Sequence, residues 1–324
     1  MATIAPETET AAALPGEGVG AVAGRSPRQL FWARFKKDRA ALFGLAVIVF
    51  LVIIALAAPL ISKIVGHGPN DLFTREMTDE FGLPKGPNGE FWFGADDSGR
   101  DLFVRVVYGA RTSLLVALVA TGIAVCVGTI LGIAAGYFGG IIDTIISRTI
   151  DIILSMPVLL FAIGIAAACS ATASGCLGGL VKPGRPVVIF IIAAFTWPYI
   201  ARIVRGNTLS LREKEFIEAA RSLGAGHGRI MFREILPNLV APIIVYTTVI
   251  IPSNILFEAA LSFLGLGVPD RIPSWGRMLA DSADIFDVAW WFMFFPGLFL
   301  ITTTLAFNLL GDGLRDALDP RSER

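Results

Sequence analysis

The segment with the clearest capacity for specific recognition is polar and runs from Glu213 to Gly224, followed by an Ile-Leu-Pro sequence at 235–237. Glu218 offers a carboxylate to a cationic group. The two alanines after it have small side chains that project little from the helix, so another protein can approach closely. The chemistry that this predicts is docking through charge complementarity rather than bond making. The alternative is a solvated amphipathic connector without a partner, since a single motif carries a real risk of a false match.

Two short helices are predicted within this segment. Phe216, Ala220 and Leu223 fall at i, i+4 and i+7, which predicts one apolar stripe on the first helix. Gly224 begins a helix-breaking Gly-Ala-Gly, and a second apolar helix is predicted to end at Pro237. The candidate recognition residues are Glu215, Phe216, Glu218, Ala219, Ala220, Arg221, Leu223, Gly224, Arg233, Leu236 and Pro237.

The composition of the chain is typical of an integral membrane protein. Hydrophobic residues make up 54% of the 324 residues and charged residues only 17%, whereas a soluble domain carries about 25% charged residues. The formal net charge is zero, so the basic footprint of a nucleic-acid-binding protein is missing and no nucleic acid is expected as a partner. Lipid is the expected surrounding of most of the chain.

Apolar segments long enough to cross a bilayer, which takes about 20 residues, occur six times. They are 41–62, 113–137, 145–168, 186–203, 239–257 and 290–310. We therefore predict an all-α integral membrane protein with six transmembrane helices, of which the third contains Pro157.

The distribution of Lys and Arg orients these spans. Basic residues cluster at 25–39 and recur through 204–237, and such residues are enriched in short cytoplasmic loops. The six basic residues of 63–111 argue weakly against this orientation. The predicted organisation is a cytoplasmic tail with a basic cluster (1–40), a first transmembrane helix (41–62), an extracytoplasmic loop (63–111), a core of five transmembrane helices (112–311) containing the cytoplasmic loop 204–237, and a cytoplasmic tail (312–324).

The second span carries a ridge of small residues at every fourth position, which places them on one face of a helix. Small residues let the backbones of membrane helices approach closely. The ridge therefore predicts close packing against another helix, in this chain or in a second one. Its members are Ala120, Ala124, Gly128, Gly132, Gly136 and Gly140.

Residues for covalent or metal chemistry are scarce. Three Cys and two His are too few for a zinc or haem framework, so no metal site is predicted. The chain has neither a Gly-x4-Gly-Lys-Ser/Thr sequence nor a credible Ser/His/Asp set. Cys169 and Cys176 flank a loop predicted to lie outside the membrane, where either a disulfide or two separate thiols fits, because spacing alone does not establish bridge geometry. Glu258 is either a functional acid or a snorkelling or helix-capping acid at the interface.

Several motifs together carry a resemblance to a known family. The Glu-Ala-Ala, Gly and Ile-Leu-Pro pattern of 213–237 looks like the coupling loop of permease subunits in ATP-driven (ABC) importers. Segments 93–114, 261–276 and 34–44 resemble the corresponding segments of peptide and nickel importer permeases. The resemblance covers the chain from about residue 34 to 320 and is to the "C"-type permease of the dipeptide/oligopeptide/nickel family. Ala95 and two long outer loops depart from the family pattern.

The resemblance implies a type I ABC importer permease fold in a bacterial inner membrane, with both termini cytoplasmic. It implies a second homologous permease chain, two cytoplasmic ATPase subunits and an extracytoplasmic substrate-binding protein as partners. ATP and Mg would bind to the ATPase subunits, so this chain would be non-catalytic and free of cofactors. Peptides are the expected cargo, with nickel complexes or other small solutes as the alternative. The sequence leaves the substrate-binding residues unknown.

A rival from another class is a secondary transporter driven by an ion gradient. Such a transporter is expected to have ionisable residues or broken helices near the middle of the membrane. The six spans have no series of ionisable residues at that depth. A membrane-embedded hydrolase would need a paired nucleophile and base, and none is apparent. Copurification of ATPase subunits discriminates the importer from the secondary transporter, and retained transport in a mutant of both histidines would exclude a His-based hydrolase.

Overall fold

The computed structural model describes residues 27–172 and 174–318, and the predicted tail residues 1–26 and 319–324 lie outside them. The described residues form helices and connecting turns, with no β-strand among them. The helices are α1 (Pro27–Phe35), α2 (Arg39–Val65), α3 (Thr74–Met77), α4 (Leu102–Phe138), α5 (Gly140–Ser155), α6 (Val158–Ser170), α7 (Arg185–Arg212), α8 (Glu215–Ser222), α9 (His227–Arg229), α10 (Leu236–Phe263), α11 (Trp275–Ser282) and α12 (Trp290–Leu318).

Five helical segments in the described part of the chain are long and apolar enough to cross a membrane, namely α2, α4, α7, the rod from His227 to Phe263, and α12. The pair α5 and α6 passes the same test only when the two are taken together, and they meet at 90°. The all-helical membrane fold predicted from the sequence is confirmed, with this bent pair in the place of the third span.

The predicted third span, 145–168, is wrong as a continuous helix. It breaks at Met156 and Pro157, where Met156 is extended with φ −76° and ψ 140°. Proline lacks an N–H and its ring excludes the residue before it from helical geometry. The proline therefore ends α5 and begins α6 in a new direction.

The second span starts earlier than its apolar run. Asp101 caps α4 by accepting hydrogen bonds from the backbone N–H groups of Phe103 and Val104, which satisfies donors that a helix start leaves free. The last ten residues of the predicted outer loop 63–111 are therefore helical, and α4 extends beyond the apolar stretch at its N-terminal end.

A charged cluster, buried except for Asp270, joins the segment before α4 to the loop after α10. Asp96 lies 2.6 Å from Nε of Arg100 and 3.0 Å from Nε of Arg105, and Asp270 lies 2.9 Å from Nη1 of Arg100. Burial raises the pKa of Asp96 against the opposing pull of the two arginines. Burial also pushes up the pKa of Asp270, but the hydrogen bond and charge of Arg100 outweigh it and hold that pKa below its usual value.

The glycine ridge packs against α7 of the same chain. A Cβ on Gly128 would stand 2.7 Å from the carbonyl oxygen of Trp197, and one on Gly132 would stand 2.7 Å from that of Ala201. A Cβ on Gly136 would stand 2.9 Å from the carbonyl oxygen of Arg205. Glycine is thus required at these positions for α4 and α7 to approach as they do.

Gly140 does not continue this ridge, so its predicted packing role is wrong. The helix α4 ends at Phe138, and Gly139 and Gly140 turn the chain with φ of 68° and 55°. A Cβ on Gly140 would meet nothing within 4 Å. The four-residue spacing continues past the point where the helix stops, which the pattern alone could not reveal.

Candidate functional site

The short helix α8 is held by one side chain. Ile217 is fully buried and packs in an apolar cluster with Ile133 of α4, Ile230 and Ile235. Glu215 stands in the first turn of α8 and Arg221 in the last, an arrangement that complements the helix dipole. A single buried residue fixes which face of this helix turns outward.

The predicted apolar stripe on α8 lies largely at the surface. Phe216 is 40% exposed and Leu223 is 88% exposed, while Ile217 between them is buried. The branched side chain of Ile217 enters the cluster next to the half-buried Ala220, one turn later on the same face. Phe216 and Leu223, the first and last residues of the stripe, thus face away from the chain's own core, whereas Ala220 is half-buried.

The other predicted recognition residues lie on or beside this outward face. Glu215, Glu218, Ala219, Arg221 and Gly224 are exposed. Further along the chain, Arg233 and Pro237 are exposed and Leu236 is half-buried. The face thus offers carboxylates, a guanidinium and two large apolar side chains within two helical turns.

The turn after α8 requires glycine at 224. Gly224 has φ +79°, a left-handed conformation that other residues adopt only with strain. The N–H of Ala225 donates to the carbonyl of Ala220 at 3.0 Å, and the N–H of Gly224 donates to that of Arg221 at 2.9 Å. This pair of bonds is a Schellman motif, which satisfies the last carbonyls of α8 and ends it sharply.

Pro237 does not end the second short helix, contrary to the sequence prediction. His227–Arg229 passes through a π-helical stretch, Ile230–Ile235, directly into α10. The N–H of Leu236 donates to the carbonyl of Met231, five residues back, and Pro237 lies inside this continuous helix, directly after the π-helical stretch. The segment after the turn and the fifth span form one rod.

Polar side chains inside the bundle satisfy one another. Glu258 is fully buried and accepts hydrogen bonds from the hydroxyls of Ser113 at 2.9 Å and Ser262 at 2.8 Å, so it is not an interfacial snorkelling acid. Asn254 links Thr196 of α7, at 3.0 Å, to Thr121 of α4, at 2.7 Å. The sequence placed Glu258 near the membrane but gave no signal for its partners.

The two cysteines after α6 are joined. Cys169 and Cys176 form a disulfide with their Cα atoms 4.8 Å apart. Backbone hydrogen bonds in both directions between Cys176 and Val181 close the next part of this loop. The loop before α7 is thus held by a disulfide and by backbone hydrogen bonds.

Comparison with known proteins gives consistent results. The family model for the binding-protein-dependent transport system inner membrane component matches residues 128–324, and the model for the N-terminal TM domain of oligopeptide transport permease C matches 26–78. A dipeptide transport system permease protein of Alkalihalophilus pseudofirmus is 42% identical over 91% of this chain and 90% of that protein. An oligopeptide transport system permease protein of Haemophilus influenzae is 40% identical over 92% of this chain and 90% of that protein.

Solved structures share the fold. The inward-facing MetNI methionine ABC transporter matches with a TM-score of 0.54 at 19% identity, covering 67% of this chain and 98% of that one. A second crystal form gives a TM-score of 0.52 with the same share of this chain and 96% of that one. These likenesses place the helices in a type I ABC importer permease fold. By the matched family models and by its relatives, this chain belongs to the family of binding-protein-dependent transport system inner membrane components.

Proposed function

We propose that this chain is one permease subunit of an ATP-driven importer and that α8 with the turn after it receives an ATPase subunit. The observation that carries the proposal is the outward face of α8. It exposes Phe216, Glu218 and Leu223 on a helix that Ile217 holds firmly. An exposed apolar and charged face on a fixed helix suits a protein partner better than water.

The structure suggests how such docking would act on the membrane part. Because the chain after the turn is continuous with α10, a displacement of α8 would move the cytoplasmic end of that rod. Closure of the ATPase subunits on ATP would then rock the helices between inward-open and outward-open states. The work must come from the different affinity of the subunits for ATP in the two states.

The other partners in this proposal are a second homologous permease chain and an extracytoplasmic binding protein, with two ATPase subunits in the whole complex. ATP and Mg would be held by those ATPase subunits and none by this chain. The names of the relatives support this, as does the binding-protein-dependent family. Both termini and α8 would be cytoplasmic in a bacterial inner membrane, and the disulfide loop would face the oxidising side, where such bonds persist.

Peptides are the proposed cargo, since the two relatives above are named as dipeptide and oligopeptide permeases. Nickel complexes or other small solutes are the alternative within the same importer class.

The test is uptake by proteoliposomes that contain the permease pair and ATPase subunits, with the binding protein added outside. Uptake of a labelled dipeptide should require enclosed ATP and the binding protein and should survive collapse of ion gradients. Uptake that needs an ion gradient and not ATP would overturn the proposal in favour of a secondary transporter. Uptake of a nickel complex but not of peptides would change only the cargo.

A further inference from the structure

The cytoplasmic end of α4 carries a side chain that touches both arms of the turn after α8. The hydroxyl of Tyr137 lies 2.9 Å from Nδ1 of His227, a hydrogen-bond distance, and His227 begins the rod that becomes α10. The guanidinium carbon of Arg221, in the last turn of α8, lies 5.6 Å from the centre of the Tyr137 ring. That separation is within the range of a cation–π contact.

Tyr137 is itself firmly placed. It is buried and belongs to the apolar cluster that contains Ile133 of α4, Val204 of α7 and Ile217 of α8. Close-packed side chains transmit displacement rather than absorb it. A movement of the turn would therefore reach α4 through Tyr137.

The two helices α4 and α7 are positioned to receive that movement as one body. The glycine ridge brings their backbones into contact at Gly132 and Gly136. At the cytoplasmic end, Nη1 of Arg212 donates to the carbonyl oxygen of Gly136 at 3.2 Å. Any force on the end of α4 is thus shared with α7.

We propose that Tyr137 is a positioning residue that passes the movement of the α8 turn to the α4–α7 pair, alongside the direct route through α10. This inference rests on the proposed function, because it presumes that α8 moves with an ATPase subunit. Without the contacts of Tyr137 with His227 and Arg221, α8 and α10 could still move with the ATPase subunit while α4 and α7 would not move with them. ATP would then be hydrolysed with less solute carried for each ATP.

The test uses the whole importer in proteoliposomes, with labelled dipeptide uptake and phosphate release measured in the same vesicles. Tyr137→Phe removes the hydroxyl and keeps the ring, and His227→Leu removes the other half of the hydrogen bond. Each should lower uptake per ATP by about two- to tenfold, which is what the net contribution of one hydrogen bond corresponds to. ATPase subunits should be retained in full.

A merely structural role would lower the yield of the complex and would reduce uptake and ATP hydrolysis together, leaving uptake per ATP unchanged. The coupling role predicts the following pattern in that ratio. The double variant should be no worse than either single variant, because both remove the same interaction. His227→Gln keeps a polar side chain at the position and should restore part of the ratio. Tyr246→Phe is the matched control, since the Tyr246 hydroxyl makes no hydrogen bond within the described residues, and it should leave uptake per ATP unchanged.

The outcomes separate the two ideas. Wild-type uptake without dependence on ATP would overturn the proposed function. If wild type is ATP-driven while Tyr137→Phe and His227→Leu keep the normal ratio, only the role of Tyr137 is overturned. Additive losses in the double variant would also overturn it, since they would mean that the two residues act separately.

Discussion

The hydroxyl of Ser113 on α4 lies 2.9 Å from Oε2 of Glu258 on α10, and both residues are fully buried. Ser262 donates to the other oxygen of the same carboxyl group at 2.8 Å. The contact joins two spans that are 145 residues apart in sequence. It fixes the register of α4 against α10 at a place where apolar packing alone would allow sliding.

Removing this acceptor should destabilise the bundle. Glu258→Leu leaves two buried hydroxyls without their acceptor, at a cost of about 1–3 kcal/mol for each unsatisfied group. Glu258→Gln keeps one acceptor oxygen and should cost less. Thermal unfolding of the purified permease pair in detergent measures both. If Glu258→Leu unfolds at the wild-type temperature, the serine hydroxyls have other partners and the contact does not hold α4 to α10.

The contact between α4 and α7 should not tolerate a side chain at the ridge. A leucine at Gly132 would collide with the backbone of Ala201 and with Val204, and overpacking typically costs about 1–3 kcal/mol. The Gly132→Leu variant should give less assembled complex and a lower unfolding temperature. Gly122→Leu is the control on the same helix, because a Cβ there meets nothing within 4 Å. Equal behaviour of the two variants would remove the special role of the ridge.

The ridge also shows what the sequence can and cannot predict. The spacing of Gly128, Gly132 and Gly136 correctly predicted a contact face, because a helix puts every fourth residue on one side. It could not show that the partner was α7, since any close helix satisfies the pattern. Gly140 matched the spacing, but the positive φ of Gly139 ends the helix before it.

The segment 213–237 shows the same limit at α8. The sequence predicted two short helices with a turn at Gly224, and the structure has that turn. The sequence could not show which apolar residue is buried, because Phe216 and Ile217 are both apolar and only the packing of α8 on Ile230 and Ile235 selects Ile217. The continuity through Pro237 was missed because a π-helical stretch has no established sequence signal.

The outer charged cluster should make stability depend on pH. The folded pKa of Asp270 lies below its usual value, since Arg100 outweighs the effect of burial. Its stabilising contribution is therefore present above the unfolded pKa, about 3.9, and is lost as the pH falls through the lower folded pKa. Asp270→Asn should lose less stability than wild type between neutral pH and pH values below about 4. Identical pH dependence in unfolding experiments would exclude Asp270 as a contributor.

The proposed orientation predicts which positions an impermeant thiol reagent reaches. In a background with Cys126 replaced by Ala, a cysteine at the exposed Gly228 should react only after cells are opened. A cysteine at Glu80, exposed in the outer segment, should react in intact cells. The native Cys169 and Cys176 are bonded to each other and should stay unreactive without a reductant. Labelling of Gly228→Cys from outside intact cells would invert the topology.

Reversing the charge of Glu218 should weaken the proposed docking of the ATPase subunit. Glu218→Lys would place a cation against the cationic group that the ATPase subunit is proposed to present. Truncating one member of a buried interfacial pair commonly costs about 2–5 kcal/mol, and reversal should cost at least as much. The variant should insert normally, because Glu218 lies outside every span, and should lose ATPase subunits or uptake. Glu80→Lys, at an exposed residue of the segment between α3 and α4, is the charge-matched control and should retain the ATPase subunits.

Substitution of Gly224 should disrupt the turn for a different reason, namely the backbone conformation that this position requires. Gly224→Leu imposes a branched residue on a left-handed conformation at φ +79°, which costs roughly 1–2 kcal/mol for an L-residue. The Schellman motif should open, and α8 should lose its fixed direction relative to the rod that becomes α10.

Gly228→Leu is the matched control, because Gly228 lies four residues further on without a positive φ and with nothing within 4 Å of its Cβ position. Uptake in proteoliposomes and ATPase retention on the purified permease pair should both fall in Gly224→Leu and not in Gly228→Leu. Normal uptake in Gly224→Leu and Glu218→Lys, at normal expression, would reduce this segment to an ordinary connector and leave the importer without its proposed site of energy transfer.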